Sequence, residues 1–227
     1  MKYKNIKDGV FVSRPNRFIA NIEIDGHIEI CHVKNTGRCR ELLIPGAKVY
    51  VEESDNPLRK TRYDLISVYK GQKLFNIDSS APNKVFGEWV ESARFFGKPD
   101  FIKPECRYKN SRFDFYIETQ GKRIFAEVKG VTLEENGVLM FPDAPTERGL
   151  KHINELAECV KEGYEGYVVF IIQTDSAKYF TPNKKTHKEF SDALINAEKS
   201  GVKIICLCCC VTKNEIKVKE PVEYRIN

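Results

Sequence analysis

The sequence predicts an α+β chain of two domains, a small β-barrel over residues 1–80 followed by an α/β domain with a central mixed sheet over residues 81–227. Two observations predict it. Up to Ala81-Pro82 the apolar residues come in short alternating runs separated by turn residues, the period of half-buried strands. After that point, runs with a helical apolar stripe alternate with strand-like runs, the order that builds a sheet covered by helices.

The first part reads as five strands, at 17–24, 27–33, 47–53, 63–69 and 73–77, with turns at Asp25-Gly26, Pro45-Gly46, Asn56-Pro57 and Gly71. So many short strands in so little chain suit an OB-like barrel. Next, NKVFGEWVESARFFG sets Val85, Phe86, Trp89, Val90, Ala93 and Phe96 on one helical face, and Gly97 and Pro99 stop it. Strands follow at about 104–109, 112–118, 122–129 and 137–141. A second helix starts near Thr146 and buries Leu150, Ile153, Leu156, Ala157 and Val160. YVVFIIQT has the continuous apolarity of a strand covered on both faces. A helix over about 186–200, closed by Gly201, precedes the last strand, VKIICLCCCV.

Composition excludes several classes. With 41% hydrophobic and 30% charged residues the chain is a folded globule rather than a disordered one. No apolar run reaches the roughly 18 to 20 residues of a membrane span, and MKYKNIKDG lacks a signal-peptide core, so the expectation is a cytoplasmic protein with no membrane partner. Four of the eight cysteines crowd into CLCCC, where bridges would be strained. No C-x-x-C pair marks a zinc site, and Cys206, Cys208 and Cys210 read as small apolar residues on one face of a core strand. The net charge of +5 is concentrated in residues 1–80, which hold 14 Lys+Arg against 10 Asp+Glu. A basic barrel fits a polyanion partner and would carry most of the affinity for it.

The chemistry lies in SRFDFYIETQGKRIFAEVKG, residues 111–130. Alternation puts Phe113, Phe115 and Ile117 on a core face and Arg112, Asp114 and Tyr116 on the other; in the next strand Glu127 and Lys129 share a face. A short connection through Thr119-Gln120-Gly121 makes a hairpin that brings Asp114 and Glu127 together. Converging carboxylates repel unless a cation lies between them, and hard oxygen ligands, with the Val128 carbonyl as a third, suit Mg²⁺ or Mn²⁺. Lys129, two residues after the second acid, is placed to act on an attacking water or on charge at phosphorus. Asp, then Glu-x-Lys, on adjacent strands after a helix is the pattern of PD-(D/E)xK nucleases. The preceding helix offers Glu88 as an inward-capable acid, and FPDAPTERGLKH follows, with Arg148, Lys151 and His152 on one side of the first helical turns and Thr146 or Asp143 to cap them. His152 reads as a phosphate donor or a helix-surface histidine. Asn35-Thr36-Gly37-Arg38 reads either as a turn whose amides and arginine hold phosphate or as a plain hairpin turn.

SRFDF, AEVKGVTL, FPDAPTERGLKH, NTGR at 35–38 and Pro45-Gly46 together resemble the sugar fermentation stimulation protein A family over nearly the whole chain. The resemblance implies an N-terminal OB-like β-barrel followed by a PD-(D/E)xK nuclease-like α/β domain, and DNA as the partner. Carried onto this chain it implies Asp114, Glu127 and Lys129 as the triad, with Glu88, Asn83 and Glu105 as further members. Asn35, Thr36, Gly37, Arg38, Arg40, Arg112, Arg148, Lys151 and His152 are the expected nucleic-acid or phosphate contacts. CHVKNTGRCREL departs from the family pattern at Val33-Lys34 and Cys39, outside the triad. The functional expectation is a Mg²⁺- or Mn²⁺-dependent DNA endo- or exonuclease; the alternative is a non-catalytic DNA-binding regulator of sugar (maltose) metabolism genes that retains the nuclease fold. A homodimer is compatible with either.

Overall fold

The computed structural model describes residues 1–35, 37–93 and 95–226. Five strands close the barrel: β1 (Ile6–Asn16), β2 (Ile19–Ile24), β3 (His27–Val33), β4 (Lys48–Glu53) and β5 (Tyr63–Lys70). β1 lies between β2 and β4, and closure comes where β3 runs parallel to β5, with Cys31 opposite Tyr63 and Val33 opposite Leu65. This is OB connectivity. Phe11, Ile22, Cys31, Val49, Leu65 and Val68 fill its interior.

Two expectations are corrected here. β6 (Lys73–Asn76) is not a barrel wall; it folds back at Gly71 onto the free edge of β5. The wall strand that the sequence reading did not include is β1, whose middle carries Gly9. Gly9 is a close crossing, where a Cβ would stand 2.6 Å from Ile22 Cγ2.

The second part contains α1 (Ala81–Ala93), β7 (Phe101–Tyr108), β8 (Ser111–Thr119), β9 (Lys122–Val131), β10 (Leu133–Glu135), β11 (Val138–Phe141), α2 (Glu147–Lys161), β12 (Glu165–Ile172), β13 (Tyr179–Pro182), α3 (Lys188–Lys199), β14 (Lys203–Val211) and β15 (Ile216–Pro221). Its main sheet has the order β15-β14-β12-β9-β8-β7 and is mixed: β12 is parallel to β9 and β14, and the remaining pairs are antiparallel. α1 covers one face through Val85, Phe86 and Val90. α2 and α3 cover the other through Ile153, Leu156, Phe190 and Leu194. Phe86 is fully buried, so truncating it to alanine would cost about 3–5 kcal/mol. α1 ends at Ala93, so Phe96 joins the core from the turn that follows it.

β10, β11 and β13 form a small separate sheet. β13 is too short to show a period, and β15 (IKVKEP) is a lysine-bearing edge strand with one fully buried residue, Ile216. Neither was legible as a strand. In β14, Cys206 and Cys208 face α2 and α3, Cys209 faces α1 and Cys210 is half-buried; all eight thiols are free. No helix among the described residues is long and apolar enough to cross a membrane.

The barrel docks at the C-terminal ends of β9 and β12. Asn76 N–H donates to the Gln173 carbonyl at 2.9 Å, and Gln173 Nε2 returns a bond to Asn76 Oδ1 at 2.9 Å. Thr174 Oγ1 donates to the Leu74 carbonyl at 3.0 Å. The chain before β1 crosses back over α1 and β15, where Lys2 bridges to Glu215. Each core cluster therefore mixes residues of both parts, and the barrel packs over one end of the sheet.

Candidate metal centre and anion sites

β8 and β9 are joined by Gln120-Gly121, both at positive φ (50° and 76°), the two-residue turn whose twist matches a hairpin. The ladder runs from Thr119 opposite Lys122 to Phe115 opposite Ala126, and there the described pairing stops. The Asp114 carboxylate takes over. Its Oδ2 accepts the Val128 N–H at 2.7 Å and its Oδ1 accepts from Asn83 Nδ2 of α1 at 2.9 Å. The splay also breaks the expected alternation. Phe115 packs on Phe86 under α1 (5.1 Å between ring centres), but Phe113 turns to the α2 side against Phe125 (5.2 Å) and His152 (6.1 Å). Phe113 and Phe115 therefore do not share a face, and Asp114 stands at the switch between them.

Glu127 is 2% exposed. Its Oε1 accepts from Lys129 Nζ at 2.5 Å and also meets His152 Nδ1. Its Oε2 is buried with no hydrogen-bond partner among the described residues. A buried carboxylate oxygen without a donor costs free energy unless something outside the chain coordinates it. Burial, then the neighbouring Glu127 carboxylate, pushes the Asp114 carboxyl up. Burial alone would raise Glu127 too, but the His152 hydrogen bond and the Lys129 charge outweigh it and hold Glu127 below the usual range. The pair is thus one carboxyl that resists ionising beside one that is firmly ionised.

The donor set fits a hard divalent cation. Asp114 and Glu127 supply carboxylate oxygens, and the Val128 carbonyl points to the same side as its N–H, toward the place where the β8 ladder has ended. No third His, Cys, Asp or Glu joins them among the described residues, so water would complete the shell. Asp114, Glu127 and Lys129 are brought together as the motif spacing suggests, with Asn83, which the resemblance implies, bonded to Asp114.

Other expected residues are placed differently. His152 is not a surface histidine: it is 5% exposed, on the buried side of α2, with Nδ1 against Glu127. Glu88 lines the cleft that contains Asp114, yet it is exposed and its carboxylate pairs with the Met1 ammonium at 2.5 Å. It is not the inward acid expected. Glu105, on the edge strand at positive φ (52°), forms an ion pair with Arg112 at 3.4 Å. Arg112, Arg148 and Lys151 gather in one cleft beside His152. Lys151 is partly engaged there, donating to the Asn110 carbonyl at 3.0 Å. Of the two cap candidates Thr146 is the N-cap of α2, its hydroxyl accepting the Gly149 N–H at 3.0 Å.

Asp143 has another task, and it changes the reading of the 35–38 turn. Its Oδ2 accepts the Arg38 N–H at 3.0 Å, while the Gly37 N–H is bound to Asn35 Oδ1 at 2.7 Å. The amides of Gly37 and Arg38 are therefore engaged within the chain and do not cradle phosphate; Thr36 lies outside the described residues. Gly37 sits against the tips of the Asp143 carboxylate and the Asn35 amide, a Cβ standing 2.6 Å from Asp143 Oδ2, so a larger residue there would push Asp143 off the Arg38 amide. What remains of this turn for a ligand is the side chains of Arg38 and Arg40, both exposed. Sequence reasoning missed Arg14, whose guanidinium ties the turn together; the only signal was its nearness to Arg17 in SRPNRF.

Residues 80–215 match the family model described as the sugar fermentation stimulation protein RE domain, and residues 12–77 match the SfsA N-terminal OB domain. The chain belongs to the sugar fermentation stimulation protein family. Relatives named sugar fermentation stimulation protein homologs include one from Ruminiclostridium cellulolyticum, 58% identical over 226 residues and covering 100% of both chains. One from Desulfitobacterium hafniense is 60% identical over 226 residues, covering 100% of this chain and 99% of that one. Among solved structures, SfsA of Pyrococcus furiosus in complex with Ca²⁺ is 31% identical with a TM-score of 0.90, covering 99% of this chain and 98% of that one. The family match extends over barrel and sheet alike.

Proposed function

We propose that this family member binds DNA and hydrolyses phosphodiester bonds with Mg²⁺ or Mn²⁺ held by Asp114, Glu127 and the Val128 carbonyl. The observation that carries the reading is the Glu127 Oε2, buried and without a partner among the described residues, beside Asp114, whose carboxyl is pushed up. The Ca²⁺ complex of the Pyrococcus furiosus relative supports a divalent cation in this fold. A bound Mg²⁺ or Mn²⁺ would supply Lewis acidity toward the scissile phosphate and an activated water. Asn83 orients Asp114, and His152 fixes Glu127. Lys129 keeps one N–H on Glu127 and has two left to hold a water or a phosphate oxygen as charge develops at phosphorus. Arg112, Arg148 and Lys151, in the cleft beside His152, would position the DNA backbone.

The test is incubation of purified protein with circular single-stranded, linear duplex and structured DNA in Mg²⁺, Mn²⁺ or EDTA. Cleavage in metal, absent in EDTA and at least about 100-fold slower in Lys129→Ala, is expected. DNA binding with no cleavage in either metal would replace this reading with the non-catalytic regulator. In a Mn²⁺-soaked crystal, anomalous density belongs between Asp114 and Glu127, and density elsewhere alone would move the centre.

A further inference from the structure

The loop that joins β1 to β2 and the turn at 35–38 enclose a cavity of about 560 Å³ lined by Arg14, Arg17, Arg38 and Arg40. The four arginines do two different jobs. Arg14 is a strut: its terminal nitrogens donate to the carbonyls of Gly37 (2.9 Å), Arg38 (2.8 Å), Arg17 (2.8 Å) and Asn35 (2.6 Å). One guanidinium thus clamps both segments in a fixed arrangement. Arg17, Arg38 and Arg40 have no carboxylate within 4.0 Å among the described residues, whereas Arg59, Arg62, Arg112 and Arg225 all do. The neighbouring acid, Asp143, is turned to the Arg38 amide.

Three unneutralised guanidinium groups held around one concavity repel one another, and an anion with several oxygens relieves that repulsion. An internal phosphodiester offers one charge and two free oxygens. A terminal phosphate monoester offers about 1.5 to 2 charges and three free oxygens. A second, narrower cavity lies between the cup and the cleft that contains Asp114, sharing Ser79 with that cleft. It shares Gly37 with the cup and is also lined by Asn35, Asp143, Pro82 and Gly130, and Gly130 directly follows Lys129. Beside the cup, Phe18 is 50% exposed with the Arg17 guanidinium 5.6 Å from its ring centre, a platform on which a base can stack.

We propose that Arg17, Arg38 and Arg40 form an end-anchoring subsite for the terminal phosphate monoester of a single nucleic-acid strand, whose next nucleotides extend toward the metal centre. This rests on the reading that the protein acts on nucleic acid. The anchored end then sets the distance to the cut, so products form at a constant offset from the phosphorylated terminus.

The experiment measures binding alone, in EDTA, with the full chain and fluorescent single-stranded oligonucleotides of one sequence carrying a 5′-phosphate, a 3′-phosphate or hydroxyls at both ends. Binding about tenfold tighter to one phosphorylated end, competed by inorganic phosphate, is expected, the preferred end giving the strand's polarity. Arg17→Ala and Arg40→Ala, whose side chains are exposed and make no ion pairs, should keep the wild-type unfolding midpoint and lose the preference. Equal affinity for all three oligonucleotides, or a preference that survives both variants, overturns the anchor. Because no metal is present, that failure leaves the cleavage test untouched, and absence of cleavage leaves this test standing.

Discussion

The carboxylate centre and the arginine cup both gather like charges, and they manage the repulsion in opposite ways. At the centre the charges are buried: Glu127 is 2% exposed, Lys129 and His152 compensate one of its oxygens, and Asp114 answers by holding its proton more tightly. At the cup the charges are exposed, and water and salt do the compensating. Buried groups act through desolvation and fixed geometry, so single substitutions there should have large, salt-independent effects. Exposed groups act through a field, so substitutions there should have moderate effects that fade with ionic strength.

The largest expected effect is on chemistry. Lys129→Ala should lower DNA cleavage about 100- to 1000-fold while leaving DNA binding within a few-fold, since its free N–H groups act at the transition state. Turnover equal to wild type would place the chemistry elsewhere. Next, His152→Ala removes the donor that keeps Glu127 ionised in a buried position. It should cost about 2–3 kcal/mol in urea unfolding and weaken Mn²⁺ binding at least tenfold. A stability change under about 0.5 kcal/mol would mean that His152 is a bystander to Glu127.

Proton and metal compete at Asp114, whose carboxyl is raised above its ordinary 3.8. The folded state binds that proton more tightly than the unfolded chain, so stability falls as the pH rises from the unfolded 3.8 through the raised value and then levels off. Metal relieves this penalty only when the proton is gone. The rise in unfolding temperature given by Mn²⁺ should therefore grow as the pH climbs from about 4 through the raised range and then level off. Glu127, held low, stays ionised through that window, so a midpoint at or below 3.8 would contradict the assignment to Asp114. At the cup, raising salt from 50 to about 200 mM should weaken oligonucleotide binding at least tenfold while changing Mn²⁺ affinity less than about threefold. Equal sensitivity would erase the distinction between the two regions. The smallest effect is at Glu88. Its carboxylate faces the Met1 ammonium, so Glu88→Gln should keep cleavage within about twofold; a loss above tenfold would restore Glu88 to the centre.

Much of this was readable from residue order because it depends on local periodicity. Asp114, Glu127 and Lys129 sit on neighbouring strands of one hairpin, so strand period and a two-residue turn suffice to bring them together. The apolar stripes of α1 and α2 and the continuous apolarity of β12 are likewise properties of single segments.

Tertiary structure decided whatever depends on packing between distant segments. β1 was hidden because its glycine is explained by Ile22, a residue on another strand. That His152 is buried against Glu127 was hidden because helix position alone does not say which face the sheet will cover. The 35–38 turn looked like an amide cradle, but Asp143, 105 residues away from Arg38, occupies the amide, and Arg14 occupies the carbonyls. By itself the sequence determined the chemistry available to each segment, since residue type and period are local. Which groups are left over to meet a metal or a phosphate was settled only by folding, because a donor or acceptor is free only after every neighbour in space has taken its share.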